Sequence, residues 1–129
     1  MKLIDTDILI DLFHRNKAAL TLINTLVASE DQLAISVVTL TELLSGMRPG
    51  EEMLTEELLL LFDIVPIDEA IGRQASAYLR TFRRSHRIDF GDALIAATAF
   101  LYGAELFTRN VKHYPMSDIV VTLPYERGG

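Results

Sequence analysis

The sequence contains no cysteine and no tryptophan. Without thiols it can build no disulfide framework, no zinc–thiolate centre and no cysteine nucleophile. It also lacks a long apolar run. The longest near-continuous one, Ala93 to Tyr102, is ten residues, half of the roughly twenty that a membrane span needs. Repeats and low-complexity tracts are absent. Positive charge is scarce: 12 Lys and Arg stand against 18 Asp and Glu, a formal net charge of −6. That balance excludes a non-specific nucleic-acid coat, which would be basic. The 129 residues allow one domain, 1–129, and no second.

Half the residues are apolar and 23% are charged, which excludes wholesale disorder. The N-terminus, Met1-Lys2-Leu3-Ile4-Asp5, carries charges where a secretory signal would carry its apolar stretch. A cytoplasmic protein with no membrane association is expected. The mean hydropathy of +0.25 is high for a soluble monomer and predicts apolar surface covered by a partner chain.

Two kinds of segment alternate along the chain. Lys2–Asp5, Leu33–Ser36, Asp63–Pro66, Glu105–Thr108 and Ile119–Thr122 are short and rich in β-branched or aromatic residues, and they read as strands. Between them the apolar residues recur at helical spacing. Leu20, Ile23, Leu26 and Val27 form one stripe, and Ile71, Ala75, Tyr78, Leu79 and Phe82 another. The stretch from Asp89 to Tyr102 reads as an alanine-dense helix able to pack closely on a sheet. This alternation predicts an α/β sandwich around a mostly parallel sheet. In such sheets function gathers beyond the carboxyl ends of the strands.

Three acids stand at such places. Asp5 ends the first strand, Glu42 follows the second in an apolar helical turn, and Asp92 lies in the first turn of the last helix. Each has a plainer reading: Asp5 as a helix cap, Glu42 as a helix surface residue, Asp92 as a partner of the helix dipole. Taken together they predict converging carboxylates, which repel unless a cation neutralises them. His14, His86 and His113 are scattered, so the donors are oxygens, which suit Mg²⁺ or Mn²⁺. Such ions activate a water and neutralise a phosphodiester during in-line displacement.

The runs Leu3-Ile4-Asp5-Thr6-Asp7-Ile8-Leu9-Ile10-Asp11-Leu12, Ile35-Ser36-Val37-Val38-Thr39-Leu40-Thr41-Glu42-Leu43-Leu44-Ser45-Gly46, Asp92-Ala93-Leu94-Ile95-Ala96-Ala97-Thr98-Ala99 and Leu106-Phe107-Thr108-Arg109-Asn110 span nearly the whole chain. In this order the chain resembles the PIN-domain family, and within it the VapC-type toxins of prokaryotic toxin–antitoxin pairs. The resemblance implies a PIN-like three-layer sandwich with a five-stranded parallel sheet flanked by helices. It implies a Mg²⁺-dependent ribonuclease whose acids are Asp5, Glu42 and Asp92. A homodimer and inhibition by a cognate antitoxin are implied as well. Many members carry a fourth acid just after the fourth strand, where this chain has Asn110. Asn110 can still bind a metal-bound water by its amide. Asp89 can supply the missing charge or cap the last helix, and Thr6 is a further auxiliary candidate.

RNA needs cations. Arg80, Arg83, Arg84 and Arg87 fall at helical positions i, i+3, i+4 and i+7, so they share one stripe. Arg83, Arg84 and Arg87, with Arg109 after the fourth strand, are the candidate phosphate contacts. Asp5 and Asp92 are expected to hold the metal, with Glu42 on the metal or on a bound water. Two other readings remain open. One is a PIN-like module that binds RNA or protein without cutting. The other is a haloacid-dehalogenase-type phosphatase with Asp5 as nucleophile, since Asp5-Thr6-Asp7 resembles its motif.

Overall fold

The computed structural model describes residues 1–126; the last three residues of the expected 1–129 domain lie outside the described residues. Five strands form one sheet: β1 (Lys2–Ile4), β2 (Leu33–Ser36), β3 (Asp63–Val65), β4 (Glu105–Phe107) and β5 (Val120–Thr122). Their order is β3-β2-β1-β4-β5, and every pairing is parallel. The chain runs outward from β1 through β2 to β3, then crosses back to add β4 and β5 on the other side. The strand order therefore reverses between β1 and β4, and the sheet opens a crevice beyond their carboxyl ends.

Six helices cover the sheet: α1 (Thr6–Phe13), α2 (Lys17–Ala28), α3 (Val37–Ser45), α4 (Glu52–Leu59), α5 (Glu69–His86) and α6 (Phe90–Tyr102). Successive strand residues point to opposite faces, and two cores follow from that. Leu3, Ala34 and Leu106 pack with α5 and α6 residues such as Ile71, Ala75, Tyr78, Ala93 and Ala96. Ile4, Ile35 and Phe107 pack with Ile8, Leu9, Ile23, Leu43 and Leu59. This is the expected three-layer sandwich, and burial on both faces explains why the strands read as continuous apolar runs.

Strand ends and one helix stripe differ from the sequence reading: β3 stops at Val65, β4 stops at Phe107 and β5 begins at Val120. The first strand stops at Ile4, and Asp5 is already the N-cap of α1. On α2 the buried stripe is Ala19, Ile23 and Leu26, while Leu20 and Val27 stay exposed. Alanine at position 19 lets α2 lie close, and the larger Leu20 turns outward. In α6, Ala93, Ala96, Ala97 and Ala99 are at most 1% exposed, which brings this helix backbone near the sheet. Gly91 in its first turn lets α6 approach α3: a Cβ there would meet the Val38 side chain at 3.3 Å.

Candidate active site

The crevice between β1 and β4 holds the acids. Asp5 leaves β1 in extended conformation and caps α1, its Oδ1 accepting from the Thr6 amide at 2.8 Å. Its Oδ2 accepts from the Thr108 hydroxyl at 2.8 Å and the Tyr114 hydroxyl at 2.9 Å. Thr108 directly follows β4, and Tyr114 follows a short 3₁₀ turn at Val111–His113. Asp5 is 6% exposed, so a carboxylate has been taken below the surface and satisfied by three donors, as burial of such a group requires.

Asp92 arrives from the first turn of α6. Its Oδ1 lies 3.4 Å from the same Tyr114 hydroxyl, so one phenol reaches both acids. On its other side, Oδ2 is 3.4 Å from His113 Nδ1. Burial, the neighbouring Asp89 charge and the Asp5 charge push its carboxyl up to about 6, while His113 opposes the shift. Asp89 is the N-cap of α6 and accepts from the Asp92 amide at 2.9 Å. The cap role thus accounts for its backbone contact, and its charge falls on Asp92 as well.

Glu42 joins through Thr6. The Thr6 hydroxyl lies 2.8 Å from Glu42 Oε1 and 3.0 Å from the Thr39 hydroxyl. A hydroxyl gives one proton and an ionised carboxylate gives none. Thr6 therefore donates to Glu42 and accepts from Thr39. Thr6 thus touches two acids, by its amide to Asp5 and by its side chain to Glu42. Asn110 is exposed, and its backbone N–H donates to the Thr108 hydroxyl at 2.9 Å.

Asp7 was not singled out as a site residue, yet it lies beside the site. Its Oδ2 accepts from the Arg109 amide at 2.9 Å, and its buried Oδ1 has no partner. Burial first, and then the Asp5 charge, push its carboxyl up to about 6. Only the i, i+2 spacing from Asp5 hinted at this, and at a helix start that spacing is common. Asp11 is the second such residue: Arg109 Nε approaches its Oδ2 at 2.8 Å, though the N–H is not aimed at an acceptor, and the Tyr125 hydroxyl donates to the same oxygen.

The expected phosphate contacts divide. Arg83, Arg84 and Arg87 are all exposed at the end of α5 and just beyond it, and Arg83 lies over the Phe90 ring at 5.7 Å. Arg109 instead turns inward to Asp11 and keeps only 19% of its side chain exposed. Arg109, just beyond β4, is thus ion-paired with Asp11 of α1.

Among the described residues no three His, Asp or Glu side chains stand ready as a metal cage. Glu42 is linked to Asp5 only through Thr6, whose hydroxyl bonds Glu42 and whose backbone amide bonds Asp5. Two carboxylates are nonetheless the usual share that a protein gives Mg²⁺, the remaining positions going to water and substrate phosphate. The donors present fit that demand: they are oxygens, they repel one another, and among the described residues no Lys or Arg forms an ion pair with Asp5 or Asp92.

The chain matches the PIN domain family over residues 2–117. It is 43% identical over 117 residues to Ribonuclease VapC10 of Mycobacterium tuberculosis, covering 90% of this chain and 87% of that protein. It is 39% identical over 117 residues to Ribonuclease VapC19 of the same species, covering 90% of this chain and 94% of that one. Among solved structures it is similar to a toxin–antitoxin complex from Klebsiella pneumoniae. That similarity has a TM-score of 0.78 at 34% identity and covers 98% of this chain and 99% of the other.

Proposed function

The chain belongs to the PIN-domain family, and from that premise we propose that it is a metal-dependent endoribonuclease, the toxin of a toxin–antitoxin pair. The observation that carries the proposal is the pairing of Asp5 and Asp92 about the Tyr114 hydroxyl, 2.9 Å from one and 3.4 Å from the other, with no Lys or Arg ion-paired to either among the described residues. The names of the relatives support the nuclease class. Membership of this family sets aside the phosphatase reading, and Asp5, with three donors on it, is poorly placed to act as a free nucleophile.

Asp5 and Asp92 would hold Mg²⁺, for which Mn²⁺ can substitute, with Glu42 beside them on the ion or on its water. The ion would supply an activated water and would neutralise charge on the phosphodiester. The chain's own residues prepare that place. Thr6, Thr108 and Tyr114 hold the Asp5 carboxylate in one orientation. The Asp89 cap fixes the first turn of α6, and with it the Asp92 backbone. Thr6 steers Glu42 toward the pair. Arg83, Arg84 and Arg87 would bind phosphates of an RNA strand, positioning it without reading its sequence.

An antitoxin partner is supported by the surface next to Glu42. A groove of about 350 Å³ runs between α1, α2 and α4, lined by Leu12, Phe13, Leu20, Ile23, Leu54 and Leu61. Phe13 also lines the cleft that contains Glu42. An apolar segment carrying an arginine would match both. The solved relative from Klebsiella pneumoniae is a toxin–antitoxin complex. A homodimer is part of the same proposal, and exposed Phe100, Leu101 and Tyr102 supply apolar surface for it. Among the described residues no helix is long and apolar enough to cross a membrane.

The test is Asp5→Asn with RNA substrate and Mg²⁺. Wild type cleaves and the variant does not. Equal cleavage by both would remove Asp5 from the mechanism. A wild-type protein that binds no Mg²⁺ by calorimetry and leaves RNA intact would favour the non-cleaving module.

A further inference from the structure

Tyr114 is 3% exposed, and its ring sits in the core formed with α5, α6 and β4. A phenylalanine ring would fill that space as well. The hydroxyl is another matter, because burying one is unfavourable unless it is hydrogen-bonded. Its partners are Asp5 Oδ2 at 2.9 Å and Asp92 Oδ1 at 3.4 Å. Among the described side chains it is the one whose hydroxyl donates to Asp5 and also lies within 3.4 Å of Asp92.

The accounting of lone pairs gives this contact a consequence. Each carboxylate oxygen has about two acceptor positions. On Asp5, Oδ2 takes the hydroxyls of Thr108 and Tyr114, and Oδ1 takes the Thr6 amide. One position is left, and it is on Oδ1. The phenol has one proton, and the shorter contact assigns it to Asp5. Its oxygen then stands between the two acids, and among the described residues no other side chain is hydrogen-bonded to one of them while lying this close to the other.

We propose that Tyr114 is a positioning residue: by occupying Oδ2 of Asp5 it leaves Oδ1 as the oxygen presented to a divalent cation, and it sets the spacing of Asp5 and Asp92. This rests on the reading that these two acids bind such an ion. Partners that orient a metal-binding group from behind are typically worth ten- to a hundredfold in metal affinity.

Calorimetric titration with Mg²⁺ of wild type, Tyr114→Phe and Tyr78→Phe tests it. Tyr78 is also buried, and its hydroxyl bonds Asp118 at 2.8 Å, away from the site acids. Tyr114→Phe should bind Mg²⁺ about ten- to a hundredfold more weakly, with kcat for RNA lowered and KM unchanged. Tyr78→Phe should keep wild-type Mg²⁺ affinity even where it loses stability. Equal Mg²⁺ affinity in wild type and Tyr114→Phe overturns the proposal. If wild type itself binds no Mg²⁺, the nuclease reading beneath it fails instead. Should Tyr114→Phe not fold, fluorotyrosine in the intact chain answers the same question by fluorine NMR. The resonance of residue 114, found by elimination with Tyr78→Phe, Tyr102→Phe and Tyr125→Phe, should move on Mg²⁺ addition. An unmoved resonance overturns the proposal.

Discussion

Thr6 and Glu42, thirty-six residues apart in the chain, meet in a 2.8 Å hydrogen bond between the Thr6 hydroxyl and Oε1 of Glu42. The same threonine gives its amide to Asp5. Replacing it with valine keeps the shape and removes the hydroxyl. Thr6→Val should leave Glu42 unsteered and the buried Thr39 hydroxyl short of a partner, at a cost of about 1–3 kcal/mol. Cleavage should fall mainly in kcat, with Asp5 still capped through the unchanged amide. Steady-state kinetics beside a thermal melt will show both effects. A variant with wild-type kcat would mean that Glu42 acts without Thr6.

The acids set a pH dependence in the metal-free protein. Asp7 and Asp92 are both pushed up to about 6, chiefly by burial. A carboxyl raised in the folded state binds protons more tightly folded than unfolded, so it lowers stability as pH rises through that value. Metal-free protein should therefore lose stability between pH 4 and pH 7. The loss is on the order of 1 kcal/mol per group once solvent screening is allowed for, or a few degrees in Tm. Added Mg²⁺ should flatten this slope, because a cation opposes the same repulsion. A melt series over pH, with and without Mg²⁺, will show it. A metal-free Tm that rises over this range would contradict the burial of the two acids.

Glu105 works in the opposite sense. Hydrogen bonds from Lys2 at 2.6 Å and Thr122 at 2.6 Å hold its carboxyl below the usual range. Its contribution is complete above the ordinary glutamate value and is lost as pH falls through the lowered one. Glu105→Gln should thus narrow its stability gap to wild type in strongly acid solution. A gap that stays constant down to that range would show the pair contributes nothing through charge.

The arginines should separate by role. In an Asp5→Asn background, Arg84→Gln with Arg87→Gln should weaken RNA binding and reduce its salt slope by about 0.7 per residue, the value for single strands. Arg109→Ala should act on stability instead. Breaking a buried pair costs about 3–5 kcal/mol, and the lower end applies because about a fifth of each side chain still meets water. Filter binding across salt concentrations, with melts of the same variants, distinguishes the two behaviours. A large change in salt slope for Arg109→Ala alone would reverse the assignment.

The amino-acid sequence by itself determined the layers and the acids. Strand segments at positions 2, 33, 63, 105 and 119 were legible because a parallel sheet buried on both faces demands short β-branched runs. Asp5 just after the first strand, Glu42 in the helix after the second and Asp92 in the first turn of the last helix were legible as candidates from their places in the strand–helix alternation. The Asp5 cap was legible too, and the structure adds Thr108 and Tyr114 as donors to the same carboxylate.

Only the tertiary structure decided the rest. The reversal of strand order between β1 and β4 placed Thr108 and Tyr114 behind Asp5, across more than a hundred residues. Asp7 and Asp11 became partners of Arg109 for the same reason, and Arg109 turned from the surface to the interior. Which stripe of α2 faces the core was also decided there: Ala19, Ile23 and Leu26 are buried while Leu20 and Val27 are exposed. Local patterning carries the period of a helix or strand, but hydrogen bonds between distant residues arise only from the order in which the strands assemble.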